Sequence, residues 1–261
     1  NKDNMTNEQP KILLLDIETS PNLGWTWGKY QQDIIRFNKE WFILCWSVKW
    51  LGKPKIITRA LPDYSLYGKD PENDMKLMLD LWDLIDEADV VVAHNGDEFD
   101  IKKINSRFAF HGITPPSPVK SVDTLKMARK YFGFTSNKLE DLVKSLAIGK
   151  DKLETGGFDL WLKCLGGNVE AWKRMIQYNK RDVELLEEVY LKLKPWDITH
   201  PNYGVYQGER VCPRCGSDNL HSRGYYRTNT LTYNRFCCND CGGWSRANTR
   251  EKRLVKPLIS V

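Results

Sequence analysis

The stretch Lys11–Ser20, KILLLDIETS, constrains this chain more than any other. An unbroken apolar run from Ile12 to Leu15 is followed by two acids, Asp16 and Glu18, with only Ile17 between them. The apolar run predicts a buried core strand. Side chains alternate along a strand, so Asp16 and Glu18 project from one face about 7 Å apart while Ile17 faces the other. Two like charges at the end of a core strand repel, and their desolvation is costly unless cations or donors compensate. A divalent metal compensates both. The alternative is a strand that closes at Asp16 and enters an ordinary turn through Glu18, Thr19, Ser20 and Pro21.

The rest of the chain alternates strand and helix signals. After a polar and aromatic connection, NLGWTWGKYQQDIIRFNKEW, two β-rich runs, WFILCWSVKWL and KIITRAL, are separated by Gly52, Lys53 and Pro54, which predicts a hairpin. Apolar residues at Met75, Met78, Leu79, Trp82 and Leu84 or Ile85 have the spacing of one helical face. DVVVAHNG reads as a short buried strand ending at His94, Asn95 and Gly96, and FDIKKINSRFAFHG as a helix stopped by Gly112. A proline-rich loop leads into the strand VKSVDTL and two helical stretches, KMARKYF and SNKLEDLVKSLAI. Beyond a glycine-rich segment, Asn168 is placed to cap a long helix over 169–194 that Pro195 ends. This order predicts an α/β fold, a mixed sheet covered by helices on both faces. The expected boundaries are an N-terminal tail over 1–10, a main domain over 11–197, and a small cysteine-bearing and basic tail domain over 198–261.

Five of the seven cysteines lie between Cys212 and Cys241, as CPRC and FCCNDC, while Cys45 and Cys164 stand alone in apolar surroundings and read as core. Paired C-x-x-C knuckles predict one structural Zn²⁺ held by Cys212, Cys215, Cys238 and Cys241, with Gly216 and Gly242 supplying the tight turns. Cys237 is out of register and reads as a bystander, or as a substitute for Cys238 if the second knuckle were C-x-x-x-C. A disulfide pair is the alternative. No secretory signal or apolar run near 18 residues is visible, so the expected setting is intracellular, cytoplasmic, with no membrane partner. Met5 is a plausible native start. The net charge of +5 is uneven: residues 202–261 carry ten Lys and Arg against four Asp and Glu, which suggests a polyanionic partner.

Further acids sit at element ends. Asp100 follows HNGDEF, where Phe99 is expected to anchor in the core while Asp100 turns toward the strand ends. Asp182 lies in YNKRDVELL one helical turn after Tyr178. Taken together, D-x-E, N-x-x-x-F-D and Y-x-x-x-D in this order resemble the DEDD superfamily of ribonuclease H-like 3′-to-5′ exonucleases, and within it the DEDDy, or DnaQ-like, type. SVDTL and SNKLEDL are similar to the middle of such domains; the insert KDKLETGGFDLWLKCLGG has no counterpart in the pattern. Pairing with a C-terminal zinc ribbon resembles stand-alone phage or bacterial enzymes, which implies a bacterial or phage-infected host cell.

What the resemblance implies is a metal-dependent exonuclease acting on DNA, with single-stranded DNA or a DNA 3′ end as partner. Asp16 would bridge two Mg²⁺ or Mn²⁺ ions, Glu18 and Asp182 would hold one and Asp100 the other, and Tyr178 would orient the attacking water. A phenol with pKa near 10 is a poor base at neutral pH, so positioning is its role. Thr19 and Asn95 are candidates for contacting the terminal nucleotide. Trp25 or Trp27 could stack on bases, with core packing the preferred reading, and His94 reads as a satisfied strand-end residue rather than a base. In the ribbon, Arg223, Arg227 and Arg235 alternate with Tyr225, Tyr226 and Tyr233, so that one face of a hairpin would be charged and another aromatic. That surface would grip nucleic acid, pack the ribbon's own small core, or dock a protein. Two further functional readings stand beside the first: an RNase or structure-specific nuclease of the same fold, and a catalytically inert nucleic-acid-binding adaptor.

Overall fold

A computed structural model describes residues 9–30, 33–149 and 156–251. The expectations about Met5, about most of the tail over 1–10, about the head of the insert and about the end of the basic tail fall outside those residues. The chain divides into two compact units, one of Lys11–Tyr190 and a second that begins at Leu191.

The first unit is built on a five-stranded mixed sheet. In chain order its elements are β1 (Ile12–Thr19), β2 (Leu23–Trp25), β3 (Arg36–Lys39), β4 (Ile43–Trp50), β5 (Ile56–Ala60), α1 (Met75–Glu87), β6 (Val90–Ala93), α2 (Asp100–Phe110), β7 (Lys120–Asp123), α3 (Thr124–Tyr131), α4 (Leu139–Ser145), α5 (Asp159–Leu165) and α6 (Val169–Leu193). The sheet order is β5-β4-β1-β6-β7. β1 is central, antiparallel to β4 and parallel to β6. Its apolar run is buried on both faces, as a strand with neighbours on either edge and helices above and below requires. Leu13, Leu15 and Ile17 share one core with Leu77, Met78, Leu81 and Ile85 of α1 and with Ile104 and Phe108 of α2. The opposite face carries Ile12 and Leu14 and continues into Asp16 and Glu18.

The face of α1 differs from the expectation. Leu77, Met78, Leu81 and Ile85 are buried, while Met75 and Leu79 are exposed. MKLMLDLWDL is apolar at enough positions to offer two overlapping stripes, and tertiary packing selects between them. Trp46, buried in β4, donates its indole N–H to the Leu77 carbonyl at 2.9 Å and holds that side of the helix inward.

The polar connection after β1 also folds differently. β2 and β3 pair as a short antiparallel ladder, a two-stranded sheet of its own in the connection between β1 and β4. Gly24 is required there: a Cβ would lie 2.5 Å from the Ile34 side chain. Trp25 and Trp27 are 63% and 91% exposed, so the expected core packing of these tryptophans is incorrect. A separate two-stranded ladder has no second layer to bury them.

The second unit contains α7 (Tyr203–Gln207) and the strands β8 (Leu220–Arg227), β9 (Thr232–Cys238) and β10 (Trp244–Arg246), in the order β10-β9-β8 and antiparallel throughout. Cys45 and Cys164 are buried in the first unit, as their surroundings predict. No described helix is long and apolar enough to cross a membrane.

Candidate functional site

The free end of β1 assembles the site. Asp16 and Glu18 sit half-buried on one strand face, and α6 brings Asp182 to them, with carboxylate oxygens of the three all within 4.8 Å of one another. α6 is held in place by its apolar face, where Val183, Leu185, Leu186 and Val189 are buried. Asn179 lies on the same helix, fully buried, and its Nδ2 donates to Asp16 Oδ2 at 2.6 Å and to the Asp16 carbonyl at 3.2 Å. One side chain thus fixes both the strand end and the orientation of its carboxylate. Three carboxylates at this spacing repel one another, and a cation among them would relieve that repulsion without protonating them. An all-oxygen donor set matches a hard divalent ion such as Mg²⁺ or Mn²⁺ and suits zinc poorly, so these residues fit the metal that the resemblance implies.

Asp100 opens α2 and is 3% exposed. It stands apart from the three-acid cluster. The β1–β6 ladder pairs only Ile12 to Leu14, and further along the strand the Ile17 N–H donates to Asp100 Oδ1 at 3.2 Å. Burial pushes the Asp100 carboxyl up to about 7, outweighing the backbone donors that favour its charged form, and the Asp123 charge adds to the rise. Phe99, expected to anchor this turn in the core, is 38% exposed. Alternation at the helix start sends one of the two adjacent side chains inward, and the acid takes that place.

A cleft of about 620 Å³ opens at the cluster, lined by Asp16 and Asp182 with His94, Asn95, Arg129 and Lys138. His94 is satisfied at both ring nitrogens, against Thr124 Oγ1 at 2.9 Å and the Asn137 carbonyl at 3.0 Å. Asn95 adopts φ 64°, a left-handed conformation that Asn tolerates, and its N–H donates to Asp123 Oδ1 at 2.9 Å. Asp123 also caps α3 through the Leu125 and Lys126 N–H groups. The strand end and the helix start on this side of the cleft are therefore tied by one carboxylate. Thr19 ends β1, half-buried, where the ladder to β4 shifts register. Tyr178 is half-buried one turn before Asp182, its ring edge-on to Trp161 at 6.3 Å between centroids.

In the second unit Cys212, Cys215, Cys238 and Cys241 bring their sulfurs within 4.8 Å of one another, with pairs at 3.6 and 3.7 Å. Sulfurs on a tetrahedron with Zn–S bonds of about 2.3 Å are about 3.8 Å apart, so the cluster fits zinc. Gly216 and Gly242 take φ 76° and 74°, and the Gly243 N–H reaches Cys241 Sγ at 3.4 Å. Cys237 lies outside the cluster and points to the Cys238 and Gly242 carbonyls. The expected split of the hairpin into a charged and an aromatic face is incorrect. Tyr226 faces Tyr233 across β8–β9, and Arg246 faces Arg235 across β10–β9, so Tyr233 and Arg235 share a face by alternation. A register shift between Ser222 and Tyr225, where Gly224 has φ 70°, resets the alternation on which the separate faces depended. Arg223 lies within that shift, its carbonyl accepting from Arg235 Nε at 3.0 Å, and Arg227 reaches over the Tyr225 ring at 5.6 Å.

Residues not singled out from the sequence include Asn179, Asp123, Arg129 and Lys138. Asn179 had a legible signal, since its i, i+3 spacing to Asp182 places both on one side of α6; the others depend on tertiary contacts. The family model of the RNase_H superfamily matches residues 50–194. A solved structure of the family B DNA polymerase from the hyperthermophilic archaeon Pyrobaculum calidifontis is similar in fold, with a TM-score of 0.52 and 13% identity. The similarity covers 86% of this chain and 32% of that polymerase, so the chain spans about a third of its length. No curated protein matches the chain.

Proposed function

The chain belongs to the RNase_H superfamily, and from that premise we propose that it is a 3′-to-5′ exonuclease of the DEDDy type that hydrolyses the phosphodiester bonds of DNA with divalent metal. The observation that carries this reading is the convergence of Asp16, Glu18 and Asp182 at the end of the central strand, beside a cleft whose lining also holds Arg129, Lys138 and Glu140. Asp16, Glu18 and Asp182 would hold Mg²⁺ or Mn²⁺, with Asp100 as the further ligand. Bound there, the metal supplies charge neutralisation for the scissile phosphate and activation of the attacking water.

The chain's own residues do the rest. Asn179 holds the Asp16 carboxylate in one orientation, so that its outward oxygen is aimed before substrate arrives. Tyr178 orients the water through its hydroxyl. Arg129 and Lys138 of the cleft lining attract the phosphate backbone, Asn95 of the same lining borders the place of the terminal nucleotide, and Thr19, at the end of β1, contacts that nucleotide. The four cysteines would hold a structural Zn²⁺, which would order a unit too small to bury a large core. In domain terms, residues 11–197 form the catalytic body and 198–261 the ribbon and tail.

The test uses DNA and RNA strands labelled at either terminus and incubated with Mg²⁺ or Mn²⁺. Stepwise shortening of DNA from its 3′ end supports the proposal, and loss of that activity in Asp16→Ala and Asp182→Ala assigns it to this cleft. Wild-type turnover in excess chelator would sink it.

A further inference from the structure

The second unit has a cleft of about 590 Å³ whose lining includes Ile198, Tyr226, Arg235, Trp244 and Arg246. The strand register explains why these side chains meet. Tyr226 is opposite Tyr233, Arg246 is opposite Arg235, and Trp244 is opposite Cys237, so one face of the three-stranded sheet collects them all. The guanidinium of Arg246 lies 4.0 Å from the Tyr233 ring centroid and 5.7 Å from that of Tyr226, and the guanidinium of Arg235 lies 4.8 Å from the Trp244 ring. Cations are thus already stacked on aromatic faces, which fixes planar groups that otherwise lose much freedom on binding.

The rings are not covered by this stacking. Trp244 and Tyr226 stay close to half exposed, and Arg246 is exposed as well. Charge in the cleft is one-sided. Of its two other charged neighbours, Arg214 is spent on the Asp197 and Trp244 carbonyls, and Asp197 is buried with its carboxylate accepting from the Thr199 N–H and hydroxyl. Arg235 gives its Nε–H to the Arg223 carbonyl and Arg246 one Nη to the Ala247 carbonyl, each at 3.0 Å, and a guanidinium has further N–H donors beyond one such bond. Two guanidinium groups with donors left over, interleaved with two half-exposed rings and with no outward carboxylate in the lining, match a ligand that alternates anionic and flat aromatic groups.

We propose that this cleft is a second grip for single-stranded nucleic acid, with bases against Trp244 and Tyr226 and phosphates on Arg235 and Arg246. It rests on the nucleic-acid reading above and deepens it by moving the ribbon's contact from Arg223 and Arg227 to a cleft centred on Trp244 and Arg246. A short strand is the fitting occupant, because duplex bases are already stacked and present no free faces.

The experiment measures anisotropy of dye-labelled oligo-dT, and of an abasic strand of equal length, with the full-length chain carrying Asp182→Asn so that no substrate is consumed. Trp244→Ala should weaken oligo-dT binding about 5- to 100-fold and leave the abasic strand nearly unchanged. The double variant Arg235→Ala, Arg246→Ala should weaken both and reduce the magnitude of the salt slope by about 1.4, as expected for two phosphate contacts to a single strand. Arg246→Lys should keep most of the salt slope while losing affinity, and Trp244→Phe should restore much of the stacking. Zinc content is read for every variant to show that the ribbon is intact. Zinc-loaded Trp244 and Arg246 variants that bind with wild-type affinity and slope would overturn the proposal and leave the cleft for a protein. A larger loss from Arg223→Ala than from Arg246→Ala would also overturn it. Because binding is read without turnover, a failure of the exonuclease reading registers separately, in the end-labelled assay.

Discussion

Replacement of Asp100 by Asn isolates what a buried acid contributes before metal arrives. The carboxyl is 3% exposed, and burial lifts it to about 7 from an ordinary aspartate value near 3.9. Between those values the folded chain holds a proton that the unfolded chain has released. The acid's contribution to stability is therefore complete below about pH 4 and is lost as pH rises through 7. A shift of about three units at about 1.4 kcal/mol each sets an upper bound near 4 kcal/mol, and relaxation around the buried charge brings the working figure to about 2–4 kcal/mol. Asn keeps the acceptor for the Ile17 N–H but cannot ionise, so it escapes this loss. With Mg²⁺ and Mn²⁺ removed and zinc retained, thermal unfolding followed by circular dichroism should show Asp100→Asn more stable than wild type by roughly 4–16 °C near pH 8, since 1 kcal/mol is worth about 2–4 °C in a unit of this size. Near pH 4 the two should coincide. Added Mg²⁺ should raise the wild-type midpoint, by up to about 2.7 kcal/mol of stability at a hundredfold excess over its Kd, and raise the variant's less. A variant less stable than wild type at both pH values, or a difference independent of pH, would show that Asp100 is held charged by groups other than a metal and refute the reasoning.

Tyr178→Phe should lower kcat by one to two powers of ten, about 1.4–2.7 kcal/mol of barrier, with KM little changed; an unaltered kcat would make Tyr178 structural. Asn179→Ala frees the Asp16 carboxylate from its 2.6 Å donor and should raise the Mg²⁺ concentration needed for half-maximal activity several-fold, with partial rescue at high Mn²⁺. An unchanged metal requirement would argue that the hydrogen bond does not orient the ligand. His200 is buried and pushed down to about 4, so it stays neutral in the folded second unit while the unfolded chain protonates near 6.5. Its contribution is present above about pH 6.5 and is lost as pH falls toward 4, by at most about 3–4 kcal/mol. His200→Phe should flatten the pH dependence of that unit's unfolding over this window, and a slope identical to wild type would count against the assignment.

Much of the site was legible without coordinates because it lies in short periodic segments. A period of two placed Asp16 and Glu18 on one face, a period of 3.6 placed Tyr178 a turn before Asp182, and Asn168 does cap α6, accepting from the Ala171 N–H at 2.9 Å. The paired knuckles likewise identified four cysteines that do converge, since C-x-x-C turns bring their own sulfurs together. What sequence could not decide is which distant groups share a space. Asn179 meets Asp16 across 163 residues of chain, and Asp100 is buried at the Ile17 N–H across 83. The exposure of Trp25 and Trp27, the choice between two stripes on α1, and the merging of arginines and aromatics on one ribbon face all went against local expectation. In each case the side chain's own preference was clear, and the neighbours decided the outcome. Periodicity specifies the direction in which a side chain leaves its own element, whereas burial, pKa and partnership depend on the element packed opposite, and that is set only when the whole sheet and its helices have closed around β1.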